Sequence, residues 1–430
     1  MGDRILDEYL RRTPASAAAA ARAERVMPGG DTRAAGWHPP YPLMVVRGAG
    51  PILTDADGND HWDLSGNFTS LAHGHAYPPI VEAAGRAMAD GTAWPARNAH
   101  QVALAERLVE RVASVERVRF CNSGSEAAML ALNVARLATG RPGVLMARFG
   151  YHGSHEAFEA GTFPERPHVP GADHTLLADH GDAGSFERAL ADHGDEVAAV
   201  FLETVMGVAG IVAPPPGFLD RVAAAARRAG ALLVLDEVIA FRLATGGAQS
   251  IFGASPDLTL FGKVVGGGFP VGAVGGRADV MALLDPSTGR LFHSGTFNGN
   301  PVTCAAGLVS VDHLTPDRID AMAALAERLE RGLAAGAAAA GLPFSDRRCG
   351  SLLNVWFLPE PPPPSARRDD DAAMTAFHLA GMNHGLYFAS RGMLALSTVM
   401  DEAAVDEIVE RAGDAMADVA AAVPAAAGRR

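Results

Sequence analysis

The sequence predicts an α/β fold: a large domain around a mostly parallel sheet, and a smaller α+β domain assembled from both ends of the chain. Three observations carry this. The runs "GVLMARF" (143–149), "VAAVFLE" (197–203) and "ALLVLDEV" (231–238) are apolar until near their ends, the pattern of strands buried on both faces. Helix-like segments such as "GFLDRVAAAARRAG" (217–230) alternate with them, the pattern of parallel strands joined by helical crossovers. Short strand-like runs with turn signals flank this middle part on both sides. At 430 residues, 48% hydrophobic and 20% charged, the chain can fill two or three cores.

In order along the chain, "YPLMVVRGAGPILTDADGNDHWDL" (41–64) reads as short strands with a hairpin turn at "DADGN". Residues 1–59 are expected to belong to the small domain and 60–315 to form the large one. Residues 316–430 return to the small domain, with a helix at "LAERLERGLAAG", a strand at "SLLNVWF", a further helix and a hairpin at "LYFASRGMLALS" (386–397). Between strand and helix, "PEPPPPSARRDDD" (359–371) predicts an exposed, stiff loop. No internal repeat is present.

A net charge of −13 without a basic stripe argues against nucleic acid. Cys121, Cys304 and Cys349 are odd in number and widely spaced, which favours reduced thiols and a cytoplasmic protein over a disulfide framework or zinc site. The N-terminal "RRTPASAAAAARAERVMPGG" has the alanine and arginine of a transit peptide, but Asp3, Asp7, Glu8 and Glu24 disagree with that reading. The most apolar window, around Val197–Gly217, is broken by Glu203 and prolines, short of the roughly 18 apolar residues of a membrane span.

Ligands of parallel sheets bind beyond the carboxyl ends of the strands, so chemistry is sought there. The stretch "FGKVVGGGFP" holds Lys263, the chain's one lysine; every other cationic side chain is arginine. An amine can lose its proton on desolvation and attack a carbonyl, which guanidinium cannot. "LLVLDEV" ends a strand in Asp236, a position equally suited to a helix cap or a metal ligand. In "RFCNSGSEAAML", Ser123, Gly124 and Ser125 open a helix, where free amides form an anion site and Ser123 with Glu126 a capping box. An amine, a carboxylate and a phosphate cradle at one rim suit pyridoxal phosphate. The glycines after Lys263 are expected to let the backbone turn close to that cofactor.

Together "LLVLDEVIAFR", "DLTLFGKVVGGGFPVGAVGG", "CNSGSEAAMLALNVAR", "GYHGS" and "HSGTFNGNP" resemble the class III, fold-type I pyridoxal-phosphate aminotransferases, in the branch of glutamate-1-semialdehyde aminomutases and β-amino-acid aminotransferases. The motifs run in family order over nearly the whole chain. The resemblance implies a mostly parallel seven-stranded sheet and a homodimer. It implies Lys263 as the Schiff-base lysine and Asp236 as partner of the pyridinium nitrogen. Ser123, Gly124 and Ser125 would hold the phosphate, Tyr151 and Val238 would cover the two ring faces, and Thr296 would reach the neighbouring subunit's phosphate. Glu203 stands at the family's glutamate, followed by Thr204 where proline is usual.

The same resemblance puts Arg33 and Arg391 where β-amino-acid aminotransferases hold carboxylates of the amino acid and the α-keto acid; a structural ion pair is the alternative for each. Aminomutases are expected to lack an arginine like Arg391, and Val208 and Ile239 depart from the asparagine or glutamate and the glutamine of other branches. Three functions follow: an aminotransferase acting on a carboxylate-bearing substrate, a β-amino acid among the candidates; an isomerase, either aminomutase or epimerase, needing no acceptor; and a non-catalytic protein, disfavoured by the intact lysine, aspartate and phosphate loop.

Overall fold

The structure, a computed structural model, describes residues 3–164, 172–364 and 372–422. Of the proline-rich stretch, residues 365–371 lie outside the described part. Three sheets are present among the described residues. The first joins β1 (Val45–Ala49), β2 (Ile52–Asp55) and β3 (Asp60–Asp63), with Gly58 at φ +84° in the β2–β3 turn. The large sheet is built from β4 (Arg117–Cys121), β5 (Gly143–Ala147), β6 (Thr175–Ala178), β7 (Val197–Glu203), β8 (Leu232–Asp236), β9 (Leu258–Gly262) and β10 (Gly272–Gly276). A third sheet contains β11 (Ser345–Cys349), β12 (Leu352–Trp356) and β14 (Met393–Ala395), while β13 (Leu386–Tyr387) joins the first sheet beside β3.

The large sheet has seven strands in the order β4-β10-β9-β8-β7-β5-β6, all parallel in sense except β10. Its strands are buried on both faces, and alternate residues serve two different cores. Val144, Met146, Ala199 and Phe201 pack with the helix Gly124–Thr139 on one side. Leu145, Ala147, Val200 and Leu202 pack with Ala183–His193 and Phe218–Ala229 on the other. A separate core gathers Ile5, Tyr9 and Leu64 with Leu325, Phe377, Leu386 and Ile408, so both ends of the chain share one apolar interior.

One expectation is corrected. "LYFASRGMLALS" is not a hairpin: Leu386 pairs in parallel with Trp62 of β3, whereas Met393 pairs antiparallel with Asn354 of β12. A tight turn at Gly392, φ +87°, passes the chain from one sheet to the other, and each arm buries its apolar side chains where it lands.

The parallel sense brings Cys121, Ala147, Glu203, Asp236 and Gly262 to one rim. Close approach there demands Gly272, which lies between Cys121 and Gly262 in register. A Cβ on it would stand 1.9 Å from the Ser123 carbonyl oxygen. Gly272→Ala is therefore expected to cost about 1–3 kcal/mol by overpacking, read as a lowered denaturation midpoint. Gly85, in the helix Pro78–Asp90 with open space around it, should instead gain slightly when replaced by alanine.

Candidate active site

Beyond that rim lies a cavity of about 490 Å³. Nine of the expected site residues line it: Arg33, Ser123, Gly124, Ser125, Tyr151, Glu203, Asp236, Val238 and Lys263. They come from the ends of β4, β5, β7, β8 and β9, plus Arg33 from the N-terminal segment. Thr296 and Arg391 do not line it.

Lys263 follows Gly262 directly and adopts φ +51°, a left-handed conformation that costs a side-chain-bearing residue about 1–2 kcal/mol. Enclosure pushes its ammonium down to about 8, against the opposing pull of Asp236 and Glu203. Glu203 and Asp236 are register partners on β7 and β8, so two buried carboxylates stand side by side next to the amine.

Each carboxylate has a distinct set of partners. Asp236 Oδ1 accepts from the Val238 amide at 2.9 Å, and its Oδ2 lies 2.9 Å from His152 Nδ1. Glu203 Oε1 accepts from the Tyr151 amide at 2.9 Å and Oε2 from the Gly207 amide at 2.8 Å, tying down two loops; burial raises its pKa. Tyr151 keeps its ring half-exposed over the cavity. Behind them Glu237, pushed up to about 7 by burial, accepts from the Ala248 and Gln249 amides and from the Thr204 hydroxyl at 2.9 Å. Threonine at 204 thus supplies a donor to a buried acid that proline could not.

The cradle at the start of Gly124–Thr139 is a cap with spare amides. Ser123 Oγ accepts from the Glu126 amide at 3.1 Å, and Glu126 Oε2 accepts from the Asn122 amide at 2.8 Å. Neither bond consumes the amides of Gly124 and Ser125. Ser125 Oγ accepts from Ser154 at 3.2 Å. A Cβ on Gly124 would sit 3.2 Å from Val238 Cγ2, filling the space beside the cradle. Of the glycines after Lys263, only Gly268 lines the cavity, so the expectation for the other two is corrected. Gly266 packs on Val271, and Gly267, φ +60°, packs on the Ala306 carbonyl.

Arg33 reaches the cavity through the neutral oxygen of Asn67, to which its Nη1 donates at 2.7 Å, and stands 5.9 Å from the Phe68 ring centroid. Arg391, in the turn before β14, lines a second cavity of about 230 Å³ with Trp37, His38 and His378, although its charge is felt at Lys263. Thr296 is exposed on a larger open cavity of about 1070 Å³. Asn298 ties that loop to the cradle by accepting from Asn122 at 2.8 Å.

Several lining residues had no role assigned from the sequence. His152 sits in the quoted "GYHGS", yet only the fold brings it to Asp236. Asn67, Phe68 and Ser70 carry no motif, and backbone conformation, not composition, places them here.

The class-III aminotransferase profile matches residues 33–416. The chain belongs to this family. It is 41% identical over 363 residues to a glutamate-1-semialdehyde 2,1-aminomutase of Rhodopirellula baltica, covering 81% of this chain and 82% of the relative. It is 37% identical over 430 residues to a β-phenylalanine transaminase of Variovorax paradoxus, covering 98% of both. A transaminase structure solved with PLP bound superposes with a TM-score of 0.89 at 34% identity, covering 95% of this chain and 98% of that one. This chain is a pyridoxal-phosphate-dependent enzyme with the seven-stranded fold of that family.

The cavity fits that cofactor. It offers a buried carboxylate with acceptor capacity beyond its two bonds, an amine whose pKa is lowered by desolvation, spare amides at a helix start, and an aromatic ring and a valine in its lining. The amine must be unprotonated to take up the cofactor's carbonyl. With its pKa lowered to about 8, the neutral fraction of Lys263 rises as pH rises through that value. Cofactor uptake by the apoprotein, followed by absorbance, should speed up about fivefold from pH 7 to 8 and level off above 9. Under an ordinary lysine, near 10.4, it would still be climbing about tenfold per pH unit.

Proposed function

We propose that this aminotransferase moves the amino group of a carboxylate-bearing β-amino acid to an α-keto acid, with Arg33 gripping the carboxylate of the donor. The observation that carries the reading is the state of Arg33. It lines the Lys263 cavity, makes no ion pair among the described residues, and donates to a neutral amide oxygen, so its charge is left for an anion. The full-length likeness to a β-phenylalanine transaminase supports the β-amino acid class.

Pyridoxal phosphate, when bound, supplies an electron sink for deprotonation at the substrate carbon. In the proposed division of labour, the chain's own groups do the rest. Lys263 Nζ would carry the cofactor and move the proton at the reacting carbon, for which a pKa near the working pH is suited. Asp236, oriented by His152 and the Val238 amide, keeps a proton on the pyridine nitrogen. Ser123, Gly124 and Ser125 would hold the cofactor's phosphate, and Tyr151 and Val238 would pack against its ring. Glu203 fixes the Tyr151 loop. Arg391 lies in the neighbouring cavity with its charge felt at Lys263, and taking the acceptor's carboxylate would require its side chain to turn toward that amine.

The isomerase reading is favoured by the 41% identity to an aminomutase. The two readings part over the acceptor. With a β-amino acid as sole substrate, an aminotransferase converts one equivalent per site and stops until an α-keto acid is added. Arg33→Ala should raise the donor KM on the order of 30-fold or more, as for a truncated charge-assisted pair of about 2–5 kcal/mol, with the acceptor KM little changed. Sustained turnover with no acceptor would favour the isomerase.

We also propose a cytoplasmic homodimer. Phe292 is 91% exposed and Phe297 58% exposed on the loop that carries Thr296, and the exposed Trp94 lines the same open cavity as Thr296, so this face offers large apolar side chains that a second copy would cover. Sedimentation should find a dimer, and Phe292→Asp should shift it toward monomer with loss of cofactor affinity. A loaded, active monomer would contradict this.

A further inference from the structure

The residues Gly66–Thr69 form a left-handed helical turn. Gly66, Asn67, Phe68 and Thr69 have φ of +53°, +49°, +54° and +75°, and three of the four carry side chains. Each such residue costs about 1–2 kcal/mol relative to a right-handed turn, so the surroundings must over-determine it. They do. Asp63 Oδ1 accepts from the Ser65 and Gly66 amides at 2.9 Å each, and Ser65 Oγ accepts from the Phe68 amide at 3.2 Å. From beneath, the fully buried Arg242 donates to the Thr69 carbonyl at 3.2 Å and to the Leu396 carbonyl, pinning the turn's end to the strand-exit segment after β14.

What this strain delivers is one amide group at the mouth of the Lys263 cavity. Asn67 Nδ2 donates to Ser70 Oγ at 3.1 Å, while the Ser70 hydroxyl proton is directed to the Asn67 carbonyl at 3.0 Å. That network leaves Asn67 Oδ1 facing Arg33 Nη1 at 2.7 Å, because a flipped amide would set donor against donor. Arg33 is thereby held over the cavity by an oxygen that carries no charge.

We propose that Asn67 is a positioning residue that sets specificity for carboxylate-bearing substrates, fixing Arg33 over the cavity without neutralising it. The inference rests on the reading of Arg33 as the carboxylate grip. A carboxylate at position 67 would orient Arg33 equally well but pair with it, and an incoming substrate anion would meet a satisfied guanidinium and a second negative charge. An aliphatic residue would leave Arg33 unanchored.

The left-handed conformation itself supplies clean variants, since aspartate and glycine tolerate it nearly as well as asparagine. The holoenzyme variants Asn67→Asp, Asn67→Gly and Arg33→Ala are compared for the donor half-reaction with β-phenylalanine, and for inhibition by 3-phenylpropanoate, which keeps the carboxylate and lacks the amine. Asn67→Asp should raise the donor KM and the inhibitor Ki about tenfold or more, the factor that 1.4 kcal/mol represents, with kcat within about twofold. Asn67→Gly should raise them about threefold, the order expected when a long side chain must be ordered on binding. If Arg33→Ala raises both constants while Asn67→Asp leaves them within twofold, Asn67 has no such role. A fall in kcat with KM and Ki unmoved would mark a merely structural residue and overturn the proposal as well. If Arg33→Ala itself changes neither constant, the carboxylate grip fails, and the role of Asn67 with it.

Discussion

An enclosed ammonium is unstable unless carboxylates stand near it, and the arrangement of this site follows from that constraint at Lys263. Enclosure lowers the amine's pKa to about 8, while Asp236 and Glu203 work in the opposite direction. Two acids packed side by side repel each other, so each needs donors of its own. His152 and the Val238 amide serve Asp236; the Tyr151 and Gly207 amides serve Glu203. The loops that line the cavity are thus the same loops that make the buried charges tolerable.

The sheet makes this convergence possible. Five strand ends of common sense deliver an anion cradle, an aromatic loop, two acids and an amine to one rim, and the antiparallel β10 slips between β4 and β9 with a glycine where Ser123 passes over it. Backbone strain is found at the cavity. Lys263 and the turn Asn67–Thr69 are left-handed, and the turn is held from below by Arg242, a buried guanidinium that donates to backbone carbonyls.

Much of this was legible in the sequence because it depends on strand ends. Apolar runs terminating in Glu203, Asp236 or the Gly262–Lys263 step can be located from pattern alone, and the rule that ligands sit beyond parallel strands makes them neighbours. The left-handed turn was not legible: Asn67, Phe68 and Thr69 are not glycines, and only the bonds from Asp63, Ser65 and Arg242 hold them there. "LYFASRGMLALS" misled for a related reason, since alternation around a glycine turn does not reveal that its two arms belong to different sheets. The side cavity at Arg391 and the open one at Thr296 are likewise products of tertiary placement, and the local sequence around each names only the residue.

We propose that the chain's one lysine, directly after β9, is the covalent seat of the cofactor. Borohydride reduction of the loaded protein followed by peptide mapping tests it directly. One stable pyridoxyl label per chain is predicted, on the peptide containing Lys263, and none on Lys263→Arg. Protein that stays colourless and unlabelled after incubation with pyridoxal phosphate, or a label found at the N-terminal amine in place of Lys263, would contradict the account.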